Sequence, residues 1–168
     1  MTRRRAFFGG KPKQLFIFQE GVGFIENPKE GITLRRRTDG VSFTASKIRL
    51  TYVTEEGSHT YSRFSIGKAH PTTSQTLSIN WAEDFPEYQT LYVECYRDAS
   101  QGLRRCGLSN VGLPVDDSEE WDANVLPPTG VRSVVSFDLT GKAASFISAI
   151  GGYYSGNHYG EIYNIWLE

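Results

Sequence analysis

Glu161-Ile162-Tyr163-Asn164-Ile165-Trp166-Leu167-Glu168 is aromatic, aliphatic or β-branched at most positions. Chain ends fray unless something ties them down. A strand that runs to the last carboxylate is therefore expected to be paired inside a sheet. The segment predicts an all-β domain that closes with its own C-terminus. Upstream, the dominant hydrophobic period is two. In Lys47-Ile48-Arg49-Leu50-Thr51-Tyr52 apolar and polar residues alternate, as in a half-buried antiparallel strand. Leu91, Val93 and Cys95 alternate with Tyr92, Glu94 and Tyr96, and Val131, Val135, Phe137 and Leu139 are expected on one face of a strand.

Further strands are expected over Leu15–Gln19, Ile32–Arg36, Val41–Thr44, Thr60–Ile66, Leu77–Trp81, Leu103–Leu108 and Phe146–Ile150. Turn signals such as Thr38-Asp39-Gly40, Ser100-Gln101-Gly102 and Thr140-Gly141 separate them. About ten or eleven short, evenly spaced strands indicate a sandwich or barrel. The acidic stretch Asp116–Asn124 reads as a loop or a single helical turn anchored by Trp121, since Pro114 and Pro127-Pro128 flank it. At 168 residues, with 10 Phe, 9 Tyr and 3 Trp, one domain can bury a core without metal or disulfide support.

Charge is divided along the chain. Residues 1–14 hold Arg3, Arg4, Arg5, Lys11 and Lys13 and no acid, net +5; the remainder holds 13 basic against 19 acidic residues, net −6. This is a basic arm on an acidic body. Such an arm is either a solvated terminus or a segment that docks on an acidic neighbour. The acidic body argues against nucleic acid as a partner. Ala6-Phe7-Phe8 is too short for a secretory core, and no stretch approaches the length of a membrane span.

The sequence offers little chemistry. His59, His70 and His158 are widely spaced, and no metal-ligand spacing, nucleophile elbow or phosphate loop occurs, so no metal, cofactor or catalytic residue is expected. Glu83, Asp84 and Glu87, and the run Asp116, Asp117, Glu119, Glu120 and Asp122, could offer a carboxylate pair. Acids crowded in one loop share one environment, which disfavours the acid–base split a glycosidase needs. Cys95 and Cys106 would lie near each other if their strands formed a hairpin. Free buried thiols are expected, because a disulfide is unneeded in a reducing compartment. Arg35-Arg36-Arg37 and Arg104-Arg105 suggest salt bridges between subunits, with residues 116–122 as partners. The segment Gly151–Gly160 carries Tyr153, Tyr154, Asn157, His158 and Tyr159 in a glycine background. These residues could pack back on the sandwich, contact another subunit, or stack on and hydrogen-bond a glycan.

Gln14-Leu15-Phe16-Ile17-Phe18-Gln19-Glu20-Gly21 at one end, and Phe137-Asp138-Leu139-Thr140 with Glu161–Leu167 at the other, resemble small virion proteins of tailed bacteriophages and prophages. In these an aromatic strand runs into an acid-Gly turn. An Asp-Leu-Thr-type strand then precedes an aliphatic strand and a terminal Tyr-x-Ile-Trp-Leu strand. The resemblance implies a jelly-roll-like β-sandwich in a tail, fibre or head-decoration protein. It implies other virion proteins and further copies of the chain as partners, and the virion, assembled in the host cytoplasm, as location. The expectation is a single antiparallel β-sandwich (15–168) with an extended N-terminal arm (1–14), acting without catalysis as a virion structural protein with a role in host-surface attachment. The alternatives are a carbohydrate-binding module and, third, a glycan hydrolase.

Overall fold

The computed structural model describes residues 14–25, 34–55, 58–152 and 157–168, of which 34, 53–55 and 58–60 are described by their backbone alone. Along the chain come β1 (Leu15–Gln19), β2 (Gly23–Phe24), β3 (Leu34–Arg37), β4 (Val41–Phe43), β5 (Ile48–Leu50), β6 (Val53–Glu55), β7 (Ser58–Thr60), β8 (Ser62–Ala69) and β9 (Thr76–Leu77). A short helix, α1 (Trp81–Asp84), precedes β10 (Thr90–Arg97) and β11 (Leu103–Ser109). A 3₁₀ turn (Ser118–Glu120) leads into β12 (Trp121–Asn124), followed by β13 (Ser133–Asp138), β14 (Phe146–Gly151) and β15 (Gly160–Leu167). No helix among the described residues is long and apolar enough to cross a membrane.

Two antiparallel sheets pack face to face. The first runs β13-β10-β15-β1-β2, with β5 also on β15 and β4 on β5; the second runs β12-β11-β14-β8-β3, with β9 on β8. The jelly-roll order follows from four nested pairings: β5 with β15, β8 with β14, β10 with β13, and β11 with β12. They form one long ribbon that doubles back at the β11–β12 connection. Rolling the ribbon sets β10 beside β15 and β11 beside β14. The C-terminal strand is interior, as expected. One edge of β15 meets β10 along its length, and the other meets β5 near Gly160–Ile162 and β1 near Ile165–Leu167.

Alternation decides what fills the space between the sheets. Leu91, Val93, Val135, Phe137, Ile162, Ile165 and Leu167 from the first sheet pack against Phe64, Ile66, Cys106, Leu108, Ile147 and Ala149 from the second, all buried. β10 and β11 are not a hairpin: each pairs with other strands, and the chain crosses from one sheet to the other between them. Cys95 and Cys106 nevertheless meet in the core as free thiols. A hydrogen bond with Cys95, together with burial, pushes the Cys106 thiol well above its ordinary value.

Three local expectations are corrected. Trp81 starts a helical turn instead of ending a strand, because Asp84 Oδ2 accepts the Asn80 N–H at 2.8 Å and curls the chain. Trp121 begins a strand, its indole donating to Val115 O at 3.1 Å. Val131 precedes β13 and is 52 % exposed, so it does not share the inward face of Val135 and Phe137.

Candidate functional site

The outer faces of the two sheets differ. On the second, the segment after β11 folds back across the strands. Leu113 N–H donates to Ser65 Oγ at 2.7 Å, Arg63 donates to Leu113 O at 3.0 Å, and Ser65, Ser148 and Ser109 form a buried hydroxyl chain. Arg104 and Arg105 both bind Asp116 of this segment. Both therefore bind the acidic run of their own chain. In the other arginine run, Arg35 lies 3.9 Å from the Phe24 ring centroid and Arg37 lies 5.0 Å from that of Phe43, while Arg36 is exposed.

The outer face of the first sheet carries an aromatic row and a charged network. Phe16 on β1, Trp166 on β15 and Tyr92 on β10 are cross-strand neighbours. Trp166 stacks on Tyr92 at 5.1 Å with an 11° tilt, and Phe16 leans on Trp166 at 6.0 Å. A bulge in β15 at Tyr163 then turns that ring and Asn164 outward together. Arg132, just before β13, reaches over β10 and β15. It donates to Glu94 at 2.7 Å and to Glu20 at 3.1 Å, and sits 3.8 Å over the Tyr163 ring. Bonds to Glu20 and Glu94 raise the Arg132 pKa, and the Arg132 bond holds the Glu94 carboxyl below its ordinary value. Asn164 donates to Glu94 at 2.6 Å and accepts from the Glu20 N–H at 2.9 Å.

Between these groups lies an open groove of about 330 Å³, lined by Gln14, Phe16, Gln19, Glu20, Glu94, Asn164 and Trp166. Aromatic surface beside amides and carboxylates suits a neutral polyhydroxyl ligand.

Glu161 anchors the other end of this face. It is buried, accepts from Lys47 at 2.8 Å and Arg49 at 3.0 Å, and takes the Tyr163 hydroxyl proton as a hydrogen bond. Burial pushes its carboxyl up, but the Lys47 and Tyr163 hydrogen bonds and the Arg49 charge outweigh burial and leave the pKa below the ordinary value. A depressed folded pKa gives stability that is present above the unfolded value of about 4.5 and lost as pH falls through the folded one. Glu161→Gln is expected to cost about 1–2 kcal/mol at pH 7, above an exposed pair and below the loss of a fully buried partner, because the cations left behind reach solvent. In urea titrations, its deficit against the parent protein should shrink as pH falls below about 4.5.

Of the sequence-predicted recognition residues, Tyr153 and Tyr154 lie outside the described residues, as do Arg3, Arg4, Arg5, Lys11 and Lys13. Asn157 is exposed with φ 57°. His158 and Tyr159 are drawn onto the body by one carboxylate. Asp98 meets His158 Nδ1 at 3.2 Å and accepts the Tyr159 N–H at 3.0 Å, while Arg49 lies 4.1 Å over the Tyr159 ring. The loop base is therefore fixed, and its described aromatic faces Arg49 instead of solvent.

The carboxylates named from sequence are spread among separate tasks. Asp84 binds Lys68, Asp117 caps the 3₁₀ turn at Glu119 N–H, and Asp122 lies 3.6 Å from Lys142. Among the described residues no three His, Cys, Asp or Glu groups are placed to hold a metal ion. The groove residues were missed from sequence, although the alternation of Tyr92 with Glu94 and of Asn164 with Trp166 marks an outward polar-aromatic face. Comparison with protein families, curated proteins and solved structures gives no match for this chain.

Proposed function

We propose that the chain is a non-enzymatic virion structural protein of a tailed bacteriophage, working through assembly with its neighbours. The observation that carries this reading is where the body's cations go. Lys47, Arg49, Lys68, Arg104, Arg105, Arg132 and Lys142 each meet an acid of their own chain, yet the body retains net −6. The +5 arm is complementary to that excess on neighbouring copies. The jelly-roll order agrees with this role, since viral coat domains use it, though as an analogy of fold alone. Deleting residues 1–13 should leave the sandwich folded and abolish incorporation into particles. Normal incorporation of the truncated chain, scored by gel analysis of purified particles, would overturn the proposal.

The groove favours a second reading, attachment to a host-surface glycan. Host lipopolysaccharide or capsule should bind the intact protein and lose at least about tenfold in affinity with Trp166→Ala, the loss of one aromatic contact. No binding by calorimetry to purified host polysaccharide removes this reading.

A further inference from the structure

A second concavity lies at the end of the sandwich where β1 starts. It is an open hollow of about 210 Å³ lined by Trp81, Ala82, Phe85, Pro86, Tyr88, Leu139, Thr140 and Gly141. Its deepest members, Trp81 and Phe85, are 2 % and 0 % exposed. For scale, a closed cavity of about 150 Å³ lined by Leu, Ile and Phe holds a benzene ring. Acids adjoin this lining in sequence: Glu83 beside Ala82, Glu87 between Pro86 and Tyr88, and Asp138 before Leu139, all three exposed. The nearby Lys142 lies 3.6 Å from Asp122, and its charge also acts on Asp138. The concavity is thus an apolar seat with an acidic surround.

The chain carries a matching segment. Phe7 and Phe8 follow directly on Arg3, Arg4, Arg5 and Ala6. The described chain begins at Gln14, whose amide donates to Glu168 at 2.5 Å. Glu168 O in turn accepts from Gln89 and Thr90, and Leu139 N–H donates to Gln89 O. Gln14 and the concavity therefore lie at one end of the sandwich, with the β15 and β10 ends between them. Three strand spacings separate β1 from β13, about 14 Å. The six residues from Gln14 back to Phe8 span up to about 20 Å.

We infer that this concavity is the seat of the Phe7-Phe8 pair from the arm of a neighbouring copy, with Arg3–Arg5 against its acidic surround. This rests on the assembly reading and names its contact. Each copy's seat offers the same contacts to its own arm and to a neighbour's, and exchange of identical elements is a low-cost route to association.

The test uses the full chain with photoreactive benzoylphenylalanine at position 8, mixing isotopically heavy and light copies before irradiation. Cross-linked peptides should join heavy to light copies at residues 81–88 or 139–141. Links confined to single copies overturn the exchange, and links elsewhere overturn the seat. Ala82→Trp, at an exposed position on the rim, should abolish the link in a protein whose circular dichroism is unchanged; persistence of the link refutes the seat. Phe7→Ser with Phe8→Ser should weaken self-association roughly tenfold to a hundredfold, and unchanged association refutes the contact. A chain that cross-links as expected but never enters particles would refute the virion reading and leave this contact standing. Arm-dependent particle entry with cross-links elsewhere would do the reverse.

Discussion

Trp81→Ala is expected to lower the unfolding free energy by about 3–5 kcal/mol, the range for truncating a buried aromatic. The Trp81 ring lies beside Phe85 at 6.0 Å and 29°, and its indole N–H donates to Ser145 Oγ at 2.7 Å. Ser145 is itself fully buried, so truncation leaves its hydroxyl without that donor as well as a void next to Phe85. Trp81→Phe should recover most of the packing and lose about 1–2 kcal/mol for the hydrogen bond. Urea unfolding midpoints measure both. A loss below about 1 kcal/mol for the alanine variant would show that α1 opens independently of the cooperative core.

Gly102→Val is expected to cost about 3 kcal/mol or more, because the neighbours in the way are the Tyr159 main chain and the Asp98 carboxylate bonded to it. A Cβ at Gly102 would fall well inside 3.0 Å of Tyr159 O and Asp98 Oδ1. A Cβ on Gly151 or Gly160 would strike Gly102 O in turn, and Gly152 N–H donates to the same oxygen at 3.0 Å. Four glycines thus let the β10–β11 connection, the end of β14 and the start of β15 meet without side chains. Any substitution there forces apart strands from both sheets. Gly112→Ala is the control: its Cβ would lie 3.6 Å from the Phe146 ring, an ordinary contact, and should change thermal stability by less than about 0.5 kcal/mol. If the two variants unfold alike, the junction is not the constraint described.

Local pattern made the strands legible where alternation was clean. Leu15–Gln19 has the bounds expected, and β15 begins one residue earlier than expected, at Gly160. It failed where a single side chain redirects the backbone, as Asp84 does before Trp81 can continue a strand. It also says nothing of which sheet a strand joins. β10 and β11 look like consecutive arms of a hairpin and instead lie in opposite layers, a result of long-range pairing in the rolled ribbon. The same limit applies to the site. Outward Tyr92 and Trp166 follow from period two, but the bulge that exposes Tyr163, and the reach of Arg132 across to Glu20, depend on register. Spacing assigns Arg104 and Arg105 to contacts between subunits, because the return of Asp116 over the second sheet leaves no trace in it.

The central place of β15 also sets the order in which the protein can be built. Its three partners, β1, β5 and β10, all precede it in the chain. Until residues 160–167 take their place, the first sheet lacks the strand that joins β10 to β1 and β5, and the edges those strands turn to β15 stay unpaired. Such edges are templates for the wrong partner. Docking of β15 covers them.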